Sequence, residues 1–454
     1  MAKPHARRAL GALFVGGLFL TVAACGGSTD SRGPDGKLIV TVNGQPPQTQ
    51  AFERRLFDAD VAAFEEAHPD IDLRPKEGFM EVEQFSAKLA GGQLEDVFYV
   101  YFTDPATIIA RGQAADITEA VQDLPRLDAL QPRLLDVFRD GEGGLYGLPT
   151  ANYSMGLLYS RPLFEQAGLD PDDPPRTWTG VREAARKISG LGDEIVGYAE
   201  LSKSNQGGWH FGAWMNSLGG SLAREENGSW KASFDNELGR TALRHLHDMR
   251  WTDGSMGSKQ LLEAADVQRM MGAGQLGMYL AAPDNIPTLV KQFNGDYADY
   301  GLAPVPEGKG TLIGGEGYMF NPRASPETIE AGLKWIQWKY LNPDRFEEKA
   351  VRFAEADKPV GLPTPPTPDI WRGEVRERME KVKEKHANVP AENYRPFMSA
   401  SERIEGHLEP PQAQQIYARL DTVVQACLTD EHADLDQLLA DAEADVNTIL
   451  DQAR

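Results

Sequence analysis

The residues in this chain that could do chemistry are few, and their spacing argues against most of it. Gly272-Ala273-Gly274-Gln275-Leu276-Gly277 has the glycine spacing of a dinucleotide loop. That loop works only when a strand leads into a helix whose N-terminus receives the pyrophosphate. Here the order is reversed: a helical pattern over 261–271 precedes the glycines and the strand-like Met278-Tyr279-Leu280 follows them. His245 and His247 lie two apart within a helical pattern. They point about 200° apart and cannot share a metal as an i, i+4 pair can. Acidic pairs such as Glu225-Glu226 would suit glycoside hydrolysis, but 68 acidic residues create such pairs by chance. Neither G-x-S-x-G nor H-E-x-x-H occurs. The two cysteines exclude a disulfide framework and a Cys-based zinc cluster. Cys427 shares an apolar helical stripe with Ile416, Leu420, Val423 and Val424 and is expected in the core. No catalytic residue, metal or cofactor is expected.

Binding surface is what the chain offers instead. Aromatic and amide side chains gather where predicted strands end, the places where α/β folds hold ligands. Asn43-Gly44-Gln45 ends the first strand, and Tyr99, Tyr101, Phe102 and Asp104 close the third. Asn152-Tyr153 follows Leu148-Pro149, and Asp284-Asn285 ends a later strand. Gly314-Gly315-Glu316-Gly317-Tyr318 turns into another, and Gln206 to Asn216 is the densest aromatic–amide segment. Aromatic faces cover the C–H side of a sugar ring while carboxylates and amides take its hydroxyls. Trp178, Trp335 and Trp338 are assigned to packing.

The elements that must position these groups alternate. Leu38-Ile39-Val40-Thr41-Val42 is a β-branched strand. Leu56, Val61 and Phe64 recur at helical spacing through Ala67, and His68-Pro69-Asp70 stops that helix. Ile71 to Pro75 is a second strand, 82–90 a second helix, and Asp96 to Phe102 a continuous apolar strand of the kind a parallel sheet buries on both faces. The succession predicts a doubly wound α/β lobe. Strands recur near Met155–Tyr159, Gly301–Val305 and Gly317–Phe320, and a helix from Pro326 to Leu341 has Ser325 as its N-cap. Lys358 to Pro366 is an extended crossing, and the C-terminal stretch is helical.

Composition sets the compartment. The 454 residues carry 46 Lys+Arg against 68 Asp+Glu, a formal net charge of −22, which argues against a nucleic-acid partner. Lys3, Arg7 and Arg8 precede an apolar run from Ala9 to Ala24, short for a membrane span and typical of a signal peptide. Val22-Ala23-Ala24-Cys25-Gly26 looks like a bacterial lipobox, in which the Cys25 thiol receives the lipid. Residues 1–24 are then a signal, and 25–36 a flexible lipidated tether. Removing 1–24 leaves 43 basic against 68 acidic residues, a net charge of −25. The body is expected at the extracellular face of the cytoplasmic membrane, as a monomer.

Several phrases in order carry a family resemblance: Phe64-Glu65-Glu66-Ala67-His68-Pro69-Asp70, Gly91-Gly92-Gln93-Leu94-Glu95-Asp96-Val97, Leu145-Tyr146-Gly147-Leu148-Pro149, Leu158 to Leu169, Pro175-Arg176-Thr177-Trp178 and Gly274-Gln275-Leu276-Gly277-Met278. With them the chain resembles the family 1 extracellular solute-binding proteins of bacterial ABC importers, the maltose-binding-protein-like group. Where that group reads Tyr-Asn-Lys, this chain reads Tyr159-Ser160-Arg161. The resemblance implies a periplasmic-binding-protein-like α/β fold, two lobes joined by three crossings near 148–152, 301–306 and 358–364. Lobe 1 would comprise 37–149 with 305–359, and lobe 2 would comprise 150–304 with 360–454. It implies capture of a small carbohydrate, preferably an oligosaccharide, between the lobes and delivery to an ABC permease. Carried over by position, the ligand-binding candidates are Gln45, Tyr101, Asp104, Asn152, Tyr153, Trp209, Phe211, Asp284, Tyr318 and Trp371. A polyamine or polyol phosphate is the alternative ligand, and a secreted glycosidase the alternative activity.

Overall fold

The computed structural model describes residues 32–78, 82–91, 93–364, 369–400 and 403–452. Cys25 and the signal segment lie outside the described residues. Two lobes, each a sheet covered by helices, make up the fold. The first sheet runs in the order 406–407, 311–320, 97–101, 38–45, 71–77, with strand Gly147–Ser154 paired to Thr311–Phe320. Its β-branched first strand is parallel to both neighbours, 71–77 and 97–101, as the predicted strand–helix alternation requires. Strand Thr311–Phe320 runs antiparallel to 97–101 and to 147–154. Helix Ala51–Ala67 covers this sheet through buried Phe57 and Phe64, which pack edge-on against Trp335. It ends at His68, the residue before Pro69, because a helical conformation there would clash with the proline ring. Ser325 caps the helix Pro326–Lys339 by accepting from the Thr328 amide.

The second sheet has the order 300–304, 156–160, 276–281, 196–198. The chain passes from the first sheet to the second between Ser154 and Gly156, and returns between Pro304 and Thr311. These two crossings are tied together: the Met155 amide donates to Leu312 O (3.0 Å), and Thr311 Oγ1 donates to Met155 O (2.9 Å). Trp178 stacks on Trp214 inside the second core, and Cys427 is fully buried there. The glycines of 272–277 lead out of helix Ala264–Gly272 into strand Leu276–Ala281.

Three expectations need correction. The flexible tether expected over 25–36 does not extend through 32–36: Arg32 bridges back to Leu38 and pairs with Glu327 at 2.5 Å. The expectation that 360–454 belongs wholly to the second lobe fails over 370–382. Ile370, Trp371, Val375, Met379 and Val382 pack instead into the first core beside Leu130 and Phe346, because the helix Gly373–His386 turns its apolar side that way. The Gln206–Asn216 segment, read among loops and strand ends, is a helix, Gln206–Ser217.

Candidate functional site

A cavity of about 1460 Å3 lies between the lobes. Its first wall is the end of strand Val97–Tyr101 and the loop after it, presenting Tyr101, Thr103 and Asp104. Its second wall is one stripe of helix Gln206–Ser217, namely Gln206, Trp209, Gly212 and Asn216, followed by the hairpin strands Ala223–Glu226 and Ser229–Ala232. Tyr153, Gly314, Gly315, His407 and Glu409 also line it. Large apolar side chains on a protein surface cluster where something binds. Of five exposed ones among the described residues, Tyr101 (40% exposed), Trp230 (36%) and Leu408 (40%) all line this cavity.

Tyr101 is held from behind. Its ring meets Tyr99 edge-on at 5.3 Å, and Tyr99 meets Tyr318 at 5.8 Å. The Tyr99 hydroxyl donates to Glu316, and Tyr318 contacts Tyr340 both ring to ring and hydroxyl to hydroxyl (3.0 Å). Burial, with the Glu316 charge, pushes the Tyr99 hydroxyl well above the ordinary phenol range, so it stays a donor. Tyr153 lies flat over the opposite strand only because Gly314 has no side chain; a Cβ there would sit 2.3 Å from the ring.

The second wall depends on two helices packed backbone to backbone. A Cβ on Gly208 would fall 2.3 Å from Tyr417 O, on helix Ala413–Thr429. The buried Asp421 carboxylate accepts from the Asn205 amide (2.8 Å) and the Gly208 amide (2.9 Å), capping the neighbouring helix from outside. Both helices open on the cavity, where Ser204, Asn205 and Gln412 hold left-handed φ values of 58°, 68° and 60°. Such strained non-glycine backbone gathers at functional sites. On the far side of helix Gln206–Ser217, His210 Nδ1 and Trp214 Nε1 meet the buried Glu200 carboxylate at 2.6 and 2.9 Å.

The charge of the cleft is acidic. Burial raises the Asp104 carboxyl to about 6, against the Thr103 hydroxyl that favours its ionised form. Burial also raises Glu409; the Tyr417 hydroxyl opposes the shift and the Asp104 charge adds to it. The lysines are absent from the cavity lining, and its two arginines are engaged: Arg139 with Gly143 O and Asp136, Arg224 with Glu226. No group of three or more His, Cys, Asp or Glu positioned to hold a metal occurs among the described residues.

Of the sequence candidates, Tyr101, Asp104, Tyr153 and Trp209 line the cavity together. The other six do not. Gln45 donates to Asp58 (2.7 Å) on the neighbouring helix. Asn152 alternates with Tyr153 along the strand, so it faces away and donates to Asp369 O (3.2 Å). Phe211 lies about 200° around the helix from Trp209 and is buried against Phe234. Tyr318 is buried behind Tyr99, and Trp371 is buried against Phe346 in the first core. Asp284 stays exposed at the start of helix Asn285–Phe293, from where its charge reaches Tyr153. Trp230, Glu409, His407 and Gln412 line the cleft and were not singled out by sequence.

Two α/β lobes with an open, aromatic-lined cleft at their crossings define a solute-binding receptor. The chain belongs to the bacterial extracellular solute-binding protein family, whose model matches residues 47–367. It is similar in fold to the cyclic α-maltosyl-1,6-maltose binding protein of Arthrobacter globiformis (TM-score 0.71, 22% identity, covering 92% of this chain and 100% of that one). It is also similar to the UgpB of Mycobacterium tuberculosis, solved with glycerophosphocholine (TM-score 0.68, 16% identity, 92% and 100% covered). A third structure, an ABC transporter solute-binding protein of Thermotoga lettingae bound with α-D-tagatose, gives a TM-score of 0.67 at 22% identity, covering 91% and 99%. By sequence, the sn-glycerol-3-phosphate-binding periplasmic protein UgpB of Salmonella typhimurium is 28% identical over 168 residues, 35% of this chain and 37% of that protein. The chain thus matches less than half the length of the curated relatives. No helix among the described residues is long and apolar enough to cross a membrane.

Proposed function

We propose that this protein captures a small carbohydrate, an oligosaccharide by preference, between its lobes and hands it to an ABC permease, without itself being an enzyme. The observation that carries this reading is the pairing of aromatic side chains on both walls, exposed Tyr101 on one and half-buried Trp209 on the other, around a cavity of about 1460 Å3. That volume exceeds the usual ~300–1,000 Å3 of small-ligand pockets, which favours an extended ligand. Asp104, Glu409, Gln206 and Asn216 supply acceptors and donors for hydroxyls. Contacts from both lobes let the ligand favour a closed arrangement over an open one.

Lipid attachment at Cys25 holds the receptor at the outer face of the cytoplasmic membrane, and the acidic surface keeps it soluble there. Cys25→Ser should move the protein from the membrane fraction to the medium.

A second reading has one specific observation in its favour. Asp104 and Glu409 are carboxylates lining one cleft, the Asp104 charge helping to raise Glu409, and the cleft's arginines are already engaged. A solute with a cationic group, such as a polyamine, suits that pair, whereas a polyol phosphate does not. A glycosidase using the same pair would hydrolyse aryl-glycosides.

Isothermal calorimetry against mono- and oligosaccharides, polyols, spermidine and glycerophosphocholine separates these readings. Saturable heat with sugars and no hydrolysis is the expected result. Heat with spermidine alone supports the second reading, and silence across the sugars overturns the first.

A further inference from the structure

The second wall ends in a two-stranded hairpin. Among the described residues its strands Ala223–Glu226 and Ser229–Ala232 pair only with each other, closed by Asn227-Gly228 with φ values of 53° and 75°. Asn-Gly is the preferred sequence for a tight two-residue turn with both residues left-handed.

The register places Glu225 opposite Trp230 and Ala223 opposite Ala232. Side chains alternate along a strand, so these four share one face. The two alanines are buried in the second core and fix the base of that face. The base is braced from helix Leu435–Gln452, where Asn447 Oδ1 accepts from the Ala232 amide (3.0 Å) and Asp451 pairs with Lys231 (3.3 Å). Toward the tip the same face overhangs the cavity, and both Glu225 and Trp230 line it.

Among the described residues, Trp230 has no ring, cation or hydrogen-bond partner and Glu225 has no ion pair. Arg224, next in sequence, also lines the cavity but is engaged by Glu226. Leu222 packs against the Gly212 position of the helix that carries Trp209, so the hairpin continues the wall outward from Trp209.

We propose that Glu225 and Trp230 form an outer subsite, the indole covering one face of a pyranose ring and the carboxylate accepting from its hydroxyls. The proposal rests on the carbohydrate reading and adds to it that the ligand is longer than a disaccharide. Its inner ring lies between Tyr101 and Trp209, and a ring further along the chain lies on the hairpin.

The test is calorimetry on the whole protein with glucan oligosaccharides (malto-, isomalto- and cello-series) from disaccharide to hexasaccharide, comparing wild type with Trp230→Ala, Trp230→Phe and Glu225→Gln. Trp230 is exposed on a braced hairpin, and an unchanged melting temperature will show that each variant is folded. Wild-type affinity should rise with chain length. Trp230→Ala should lose about tenfold on the long members and less than about twofold on the disaccharide, with Phe restoring part of the loss. Equal affinity of wild type and Trp230→Ala at every length overturns the subsite, as does a loss of the same size on the disaccharide. Disaccharide binding by all four proteins keeps the carbohydrate reading intact in those cases. Silence of the wild type toward every sugar overturns both.

Discussion

The first-lobe wall of the cleft is a strand end backed by a row of rings, whereas the second-lobe wall is a pair of helix ends and a hairpin. In the first, Tyr101 presents one face to the cavity, and behind it Tyr99, Tyr318 and Tyr340 run into the core. In the second, Trp209 stands on a helix whose place is set by glycine contacts and by a carboxylate borrowed from its neighbour. The same aromatic type is thus positioned by side-chain packing on one side and by backbone proximity on the other. The two walls should therefore fail in different ways.

The largest effect is expected where backbone meets backbone. Gly208→Val has no space beside Tyr417 O and should cost about 3 kcal/mol or more of stability, separating the two helices and abolishing binding. Thermal denaturation and calorimetry check both. The first wall should yield more gently. Tyr99→Phe removes the donor to Glu316 while keeping the ring, so stability should fall by about 1–2 kcal/mol and affinity only a few-fold.

A pH titration sharpens the comparison further. The Asp104 carboxyl has a pKa raised from 3.8 to about 6 in the folded protein. The folded state therefore binds a proton that the unfolded chain has released, and stability is lost as pH rises from about 4 to about 6. Asp104→Asn should flatten the stability profile over that window, read by melting temperature against pH. The smallest effect belongs to Trp371→Phe. That side chain sits in the first core, away from both walls, so affinity should change by less than about twofold while stability falls by roughly 1 kcal/mol.

How far the site was legible in sequence follows from local periodicity. The strand–helix alternation and the Ser325 cap were readable because burial and capping leave local patterns. Asn152 and Tyr153 are adjacent candidates, yet a strand can turn only one of two adjacent residues into a cleft. Trp209 and Phe211 repeat the problem at helical pitch, the same angle that separates His245 from His247. For Trp371 and residues 370–382, chain order points to the second lobe and long-range packing overrides it. Trp230 left a usable signal: alternating residues on either side of Asn227-Gly228 mark a hairpin with Glu225 and Trp230 on one face. Glu409 left none, since its position is set by the short pairing of Gly406–His407 with Thr311–Leu312, far apart in sequence.

The central claim is that one ligand is held by aromatic faces from both lobes at once. Calorimetry on Tyr101→Ala, Trp209→Ala and the double variant, with the tightest sugar found for the wild type, tests it most directly. Each single variant should lose about tenfold or more, and the double variant should lose all measurable binding. Wild-type affinity in either single variant would show that the ligand touches only one wall, and would contradict the account.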